Sequence, residues 1–204
     1  PAGGYLFAVG HGDRAVIVPL DGSPCRRLPG PWFAETLLEA AAVSPSGWRV
    51  ATAFNWGRGA RTLRIFFVAT GVQRSWELPC PLNPSGSDGG VHSLEFLDDD
   101  TLVTAGWGGV RRWNLTTGSQ SLLSRSKSPI SMWVSRATRT AVTLREVDGG
   151  QSLQVLDLAT GASRPLEGFG KDLSSVDLDP SGVVAATGSR DGTIRVGHLR
   201  GGKP

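Results

Sequence analysis

Apolar residues recur every second position in short runs along the 204-residue chain, and the runs are bounded by glycine, proline, serine and aspartate. A period of two predicts strands whose side chains alternate between two faces. The C-terminal stretch Asp179-Pro-Ser-Gly-Val-Val-Ala-Ala-Thr-Gly-Ser-Arg-Asp-Gly-Thr-Ile-Arg-Val196 shows the unit plainly. Ser181-Gly182 and Asp191-Gly192 supply turns where positive φ is needed, and residues 183–186 and 193–196 pleat between and after them.

The unit repeats. Alternating runs that end at a Thr-Gly turn occur at Leu63-Arg-Ile-Phe-Phe-Val-Ala-Thr-Gly71, Val110-Arg-Arg-Trp-Asn-Leu-Thr-Thr-Gly118 and Leu153-Gln-Val-Leu-Asp-Leu-Ala-Thr-Gly161, with a shortened copy at Val16-Ile-Val-Pro-Leu-Asp-Gly22. The turn glycines at 22, 71, 118, 161 and 202 are 49, 47, 43 and 41 residues apart. That spacing lies at or slightly above the repeat of about 40 to 45 residues expected for four-stranded propeller blades. Each interval holds the remaining strands: first strands at 38–43, 91–96, 130–134 and 173–178, second strands at 50–54 and 102–105, and a fourth at 72–78.

These copies resemble the blades of the WD-repeat β-propeller family. Ala186-Thr-Gly-Ser-Arg-Asp-Gly-Thr-Ile-Arg-Val196 is similar to the family's turn between second and third strands, and Trp113-Asn114 and Leu156-Asp157 stand where its Trp-Asp dipeptide does. The resemblance implies an all-β propeller of antiparallel four-stranded blades, about five of them, as part of a seven-bladed ring. The chain reads as one region, 1–204, with blades near 1–30, 31–79, 80–124, 125–166 and 167–204. Trp113, Asn114, Asp157, Ser175 and Asp191 are the positions that match the repeat motif. The family often ties a blade with a His, Ser or Thr, Asp and Trp network. In the last copy Phe169 and Gly197 replace the His and Trp, so packing is expected to hold that blade instead. The first copy begins at a second strand and the last ends after a third, giving 18 strands where a seven-bladed ring has 28. The missing blades are therefore expected upstream, in the same protein.

Composition narrows the function. With 39% hydrophobic and 19% charged residues, no apolar run of about 18 residues and no basic-then-apolar start, the sequence predicts a soluble, cytoplasmic protein without a membrane span. Cys25 and Cys80 each neighbour proline and read as unpaired structural residues rather than a disulfide or metal site. Net charge is +3 from 21 basic and 18 acidic residues spread along the chain, which argues against a dedicated nucleic-acid binder. Eighteen of the basic residues are Arg, the side chain that pairs bidentately with carboxylates and stacks on aromatics.

The sequence contains no nucleophile elbow, phosphate loop or zinc spacing, and His11, His92 and His198 fall at unlike places in their blades, so no metal and no cofactor is expected. Asp98-Asp99-Asp100 occupies a turn that sibling copies fill with Ser-Pro-Ser-Gly or Asp-Pro-Ser-Gly, and reads as a solvated turn. Glu39, Glu95 and Asp177 lie in first strands, which line a propeller's channel. They carry the alternative of a propeller enzyme or small-ligand binder.

Trp113 is expected in the core. Trp56 and Trp107 fall between second and third strands with glycine-rich flanks, where a tryptophan either folds back over its blade or anchors a partner. The same side is expected to collect Arg58, Arg61, Arg125, Lys127, Arg145, Lys171 and Arg190, and the opposite side Asp98, Asp99, Asp100 and Asp179. The expected function is a non-catalytic interaction or sensing module of a larger bacterial signalling or regulatory protein, with a protein partner that presents an acidic segment.

Overall fold

The computed structural model describes residues 5–10, 14–27, 36–56, 62–68, 70, 72–77, 90–148 and 150–199. Among them are 18 strands in five antiparallel sheets and no helix. The first sheet holds β1 (Tyr5–Gly10), β2 (Arg14–Pro19) and β3 (Arg26–Arg27). The second holds β4 (Thr36–Val43), β5 (Arg49–Trp56), β6 (Thr62–Phe67) and β7 (Gln73–Glu77), and the third holds β8 (Val91–Phe96), β9 (Thr101–Gly106), β10 (Gly109–Asn114) and β11 (Gln120–Ser124). The fourth is β12 (Ile130–Ser135), β13 (Thr140–Val147), β14 (Gly150–Asp157) and β15 (Ser163–Pro165); the fifth is β16 (Leu173–Leu178), β17 (Val184–Ser189) and β18 (Ile194–His198). Each strand pairs with its neighbours in sequence, so every sheet is a simple meander, and the first strands β4, β8, β12 and β16 lie against one another in order. These are the blades anticipated from the repeat.

Alternation explains how the blades stack. On β9, Leu102 joins a core shared with Ala51, Ala53, Leu63 and Ile65 of the second blade, while its neighbour Val103 joins one shared with Ile130, Met132, Ala141 and Leu156 of the fourth. Successive side chains point to opposite faces, and each face is covered by a different blade. A strand buried on both faces needs apolar residues nearly throughout, and residues 102–106 are all buried. The junction of the fourth and fifth blades is built likewise, from Val142, Leu153 and Val155 against Phe169, Val176, Ala185 and Leu199.

One polar residue recurs in this interior. Thr52, Thr104, Thr143 and Thr187 are each the fourth residue of a second strand, and all four are buried. A threonine hydroxyl in such a place needs a partner. In the third blade Thr104 Oγ1 accepts from the Trp113 indole Nε1 at 3.0 Å, with Trp113 in the core as expected. In the fifth, Thr187 Oγ1 donates to the Phe169 carbonyl at 2.8 Å, and the Phe169 ring is buried. Phe169 therefore fills by packing the place that the motif gives to a histidine, and its backbone supplies the hydrogen bond. Ser175, matched to the motif in sequence, is exposed on β16 opposite Gly188; the buried hydroxyls of that blade belong to Thr187 and Ser189.

Asn114 and Asp157 end the third strands of their blades in one way. Asn114 Oδ1 accepts from Thr116 N at 3.0 Å and Thr117 N at 2.9 Å; Asp157 Oδ1 accepts from Ala159 N at 2.9 Å and Thr160 N at 2.8 Å. The turns close on Gly118 and Gly161 at φ of 74° and 80°.

Candidate functional site

Because strands run up and down in turn, each blade has two ends. The lower end carries the turns between first and second strands and between third and fourth. The upper end carries the turns between second and third strands and the links from blade to blade.

At the lower end the Asp98-Asp99-Asp100 turn is not merely solvated. Asp99 Oδ1 accepts from Ser46 N at 3.1 Å and Ser46 Oγ at 2.7 Å, while Asp100 Oδ1 takes Arg49 Nη1 at 2.6 Å and Thr116 Oγ1 at 3.0 Å. Arg49 also donates to the Asp99 carbonyl. Asp98 Oδ2 faces the other way and takes Arg139 Nη2 at 3.2 Å. Hydrogen bonds from Ser46 hold the Asp99 carboxyl below its ordinary range, and those from Arg49 and Thr116 do the same for Asp100.

Arginine supplies further ties at this end. Arg26 donates to Val68 O at 2.7 Å, Arg112 to Leu158 O and Ala159 O at 3.1 Å each, and Arg164 to Leu199 O. Val68, Leu158 and Leu199 are equivalent: each directly follows a third strand, and its own N–H bonds the first turn of its blade at Trp48, Arg139 or Val183. A guanidinium reaching across a blade junction to a fixed carbonyl uses its planar, multi-donor head, which gives the Arg-rich composition a structural role.

Two clefts open between blades, of about 350 Å³ beside Arg112, Asn114, Gln120 and Arg139 and about 320 Å³ beside Asp157, Arg164, Gly182 and Leu199. The Asp157 carboxylate in the second is engaged by its own turn. Of the channel carboxylates, burial raises Glu95 above its ordinary pKa while Arg136, with Nη2 at 3.5 Å, opposes the shift. Asp177 lies on β16, two blades away, and accepts from Leu178 N at 2.8 Å; the Glu39 side chain lies outside the described residues. Among the described residues no group of three or more His, Cys, Asp or Glu side chains could hold a metal ion, and no helix is long and apolar enough to cross a membrane.

The upper end receives most of the residues expected there. Arg125, Lys127, Lys171 and Arg190 are exposed on links and turns. Trp107 occupies a two-residue turn with Gly108, not an extended loop, and is half-buried; its N–H donates to Gly90 O at 3.0 Å. Gly109, at φ 118°, makes the tight turn possible, since a Cβ there would stand 1.8 Å from Ser124 O. Two placements are corrected. Trp56 ends strand β5 because β4 begins early enough to pair Thr36 with it, and Arg145 lies half-buried inside β13, because the β13–β14 hairpin extends to Val147 and Gly150. Arg58 and Arg61 lie outside the described residues. The upper end also carries Glu146, Asp148, Glu167, Asp172 and Asp191, mostly on the last two blades, so its charge is mixed there rather than uniformly basic. Asp191 caps its turn through Thr193 N at 2.8 Å.

Two features escaped the sequence reading. The threonine series was visible as Ala-Thr-Ala, Val-Thr-Ala, Val-Thr-Leu and Ala-Thr-Gly in the second strands. Trp48, 48% exposed in the turn before β5, carries no local sequence signal of its exposure.

The profile of the family described as WD domain, G-beta repeat matches residues 162–196. The chain is 25% identical over 171 residues to the guanine nucleotide-binding protein subunit beta of Oryza sativa subsp. japonica, and 26% identical over 182 residues to that of Zea mays. These alignments cover 79% and 80% of this chain and 44% of each relative, so the chain spans less than half the length of the curated relatives it matches. Among solved structures, the β-propeller domain of Myceliophteria thermophila Cps50 (Swd1) aligns with a TM-score of 0.66 at 15% identity, covering 95% of this chain and 61% of that one. An oligogalacturonate lyase in complex with manganese aligns with a TM-score of 0.67 at 12% identity, covering 94% and 61%. The chain is thus similar to WD-repeat β-propellers, with the repeat itself matched over residues 162–196 and the propeller fold shared with the solved structures.

Proposed function

We propose that this region is a non-catalytic protein-interaction module, a scaffold within a larger signalling or regulatory protein of the cytoplasm, whose upper end receives an acidic segment of a protein partner. The observation that carries the reading is the repeat itself. Blades are held by turn caps, threonine bonds and arginine ties that leave their ends free for decoration, and the matched relatives are named as subunits of a guanine nucleotide-binding protein. Trp107, Arg125 and Lys127 stand on the third and fourth blades, and the sequence adds Trp56, Arg58 and Arg61 at the end of the second strand of the second blade and just after it. Aromatic and arginine side chains dominate binding energy at interfaces, and basic charge steers an acidic segment. The exposed, free thiol of Cys25 is compatible with a reducing compartment.

The test is capture from the native host with the natural full-length protein. Trp56→Ala with Trp107→Ala, or Arg58→Glu with Arg61→Glu, should deplete the captured partner while the melting curve is retained. An unchanged partner list for both variants contradicts the assignment. The lyase among the structural neighbours keeps the enzyme alternative in view; turnover of glycoside or lactone substrates abolished by Glu39→Gln or Glu95→Gln would establish it.

A further inference from the structure

The lower end of the second blade presents a surface that the fold itself does not require. Trp48 is 48% exposed and Val72 56% exposed. They stand on adjoining turns: Val68 N donates to Trp48 O at 2.8 Å, and Phe67 N to Val72 O at 2.8 Å. Between them the half-buried Phe67 ring lies under two guanidinium groups, Arg49 at 5.4 Å and Arg74 at 5.8 Å from its centroid. Leu20, 62% exposed, sits on the neighbouring blade's turn at the same end.

Comparison with sibling blades isolates Trp48. Its structural duty is done by its carbonyl, which accepts the N–H of the residue after the third strand. Asp100, Arg139 and Val183 do the same for Leu115, Leu158 and Leu199. Asp100 and Arg139 spend their side chains on ties between blades. Here a large aromatic is instead held half in water, and contiguous exposed apolar area of this kind marks an interaction site. Charge specifies the occupant. Arg74, over the Phe67 ring, and Arg26, on the Val68 carbonyl, are both exposed, whereas Arg49 is taken by Asp100 of the third blade and Asp21 accepts from Ser23 N in its own turn.

We propose that Trp48, Phe67, Val72 and Arg74 form a docking surface for an acidic protein segment that carries an aromatic or aliphatic anchor. The anchor packs against Trp48 and Val72, and its flanking carboxylates face Arg74 and Arg26. This surface is at the opposite end of the blades from the one proposed above and stands or falls separately from it.

The probe is a fluorescein-labelled peptide of alternating Glu and Leu with one central Phe, compared with its Lys-for-Glu counterpart by anisotropy on the natural full-length protein. The acidic peptide should bind, more weakly as salt rises, and Trp48→Ala and Arg74→Glu should each weaken it about tenfold or more. Trp107→Ala should leave that binding unchanged. Because Trp48 and Arg74 are exposed, both variants should melt like the wild type. Failure of the acidic peptide to bind, equal binding of the basic peptide, or indifference to both variants would overturn the proposal. So would preference for a single-stranded oligonucleotide or for phosphatidylserine-containing vesicles over the peptide, since either would replace the protein segment with another class of partner.

Discussion

Asp98 and Asp100, two residues apart in one turn, hold arginines from opposite neighbours: Asp98 takes Arg139 of the following blade at 3.2 Å, and Asp100 takes Arg49 of the preceding blade at 2.6 Å. A three-carboxylate turn thus bridges three consecutive blades. Each pair is solvent-exposed enough to be modest alone. Their value is geometric, because they fix the spacing of blades whose apolar faces have already been buried.

Acidification should expose this arrangement. Asp99 and Asp100 are depressed by hydrogen bonds from Ser46 and Arg49, and Asp157 by those of Thr160 and Ala159. A carboxyl with a lowered folded pKa stabilises the fold above its unfolded value, near 3.8, and loses that contribution as pH falls through the folded value. Denaturant midpoints should therefore drop between about pH 5 and pH 3, and more gently for Asp99→Asn with Asp100→Asn. Equal slopes for wild type and variant would contradict these assignments.

The Trp113–Thr104 bond is open to a double-mutant cycle. Trp113→Phe leaves the Thr104 hydroxyl buried without its donor, and Thr104→Val leaves the indole N–H without an acceptor; each should cost about 1 to 3 kcal/mol. The pair combined should cost less than the sum, because no buried polar atom is then orphaned. Strict additivity in urea unfolding would refute the bond.

Gly109→Ala should be among the most damaging single-methyl changes in the chain. The residue combines φ 118° with a Cβ position 1.8 Å from the Ser124 carbonyl, so the β9–β10 hairpin and its pairing with β11 cannot persist unaltered. A loss of more than about 3 kcal/mol is expected from thermal or denaturant unfolding. Gly192→Ala, where nothing stands within 4 Å, carries only the cost of φ 84° and should be milder.

In the last blade, Thr187→Val should destabilise more than Asp191→Ala. Thr187 is buried and ties the Phe169 carbonyl, whereas Asp191 caps an exposed turn. The reverse order in thermal midpoints would show that a network runs through Asp191 even without the motif's His and Trp.

Strand positions were legible because period-two runs and turn glycines are local signals: 91–96 and 173–178 coincide with β8 and β16. Longer hairpins were not. Nothing local in residues 140–157 says that β13 and β14 continue through Arg145, since that depends on pairing with Ser152 and Ile130. The cross-blade contacts of the exposed Asp98-Asp99-Asp100 turn were illegible for the same reason. Its partners Ser46, Arg49 and Arg139 are about forty to fifty residues away, one repeat in either direction, and only stacking of blades brings them together. Of the candidate interface, the lysines and arginines of the upper links were readable as loop residues. Trp48 was not, because its exposure shows only when sibling turns are superposed.

The upper end can be interrogated directly through its lysines. Lys127 and Lys171 both stand there, and Lys203 is the third and last lysine of the chain. Amine-reactive cross-linking of the natural complex, read by mass spectrometry, should join the partner to Lys127 or Lys171, and Trp56→Ala with Trp107→Ala should abolish those links in a protein that still melts like the wild type. Partner links that survive the double substitution unchanged, or that fall instead on the Asp98 to Asp100 side with a carboxylate-reactive reagent, would contradict the placement of the interaction face.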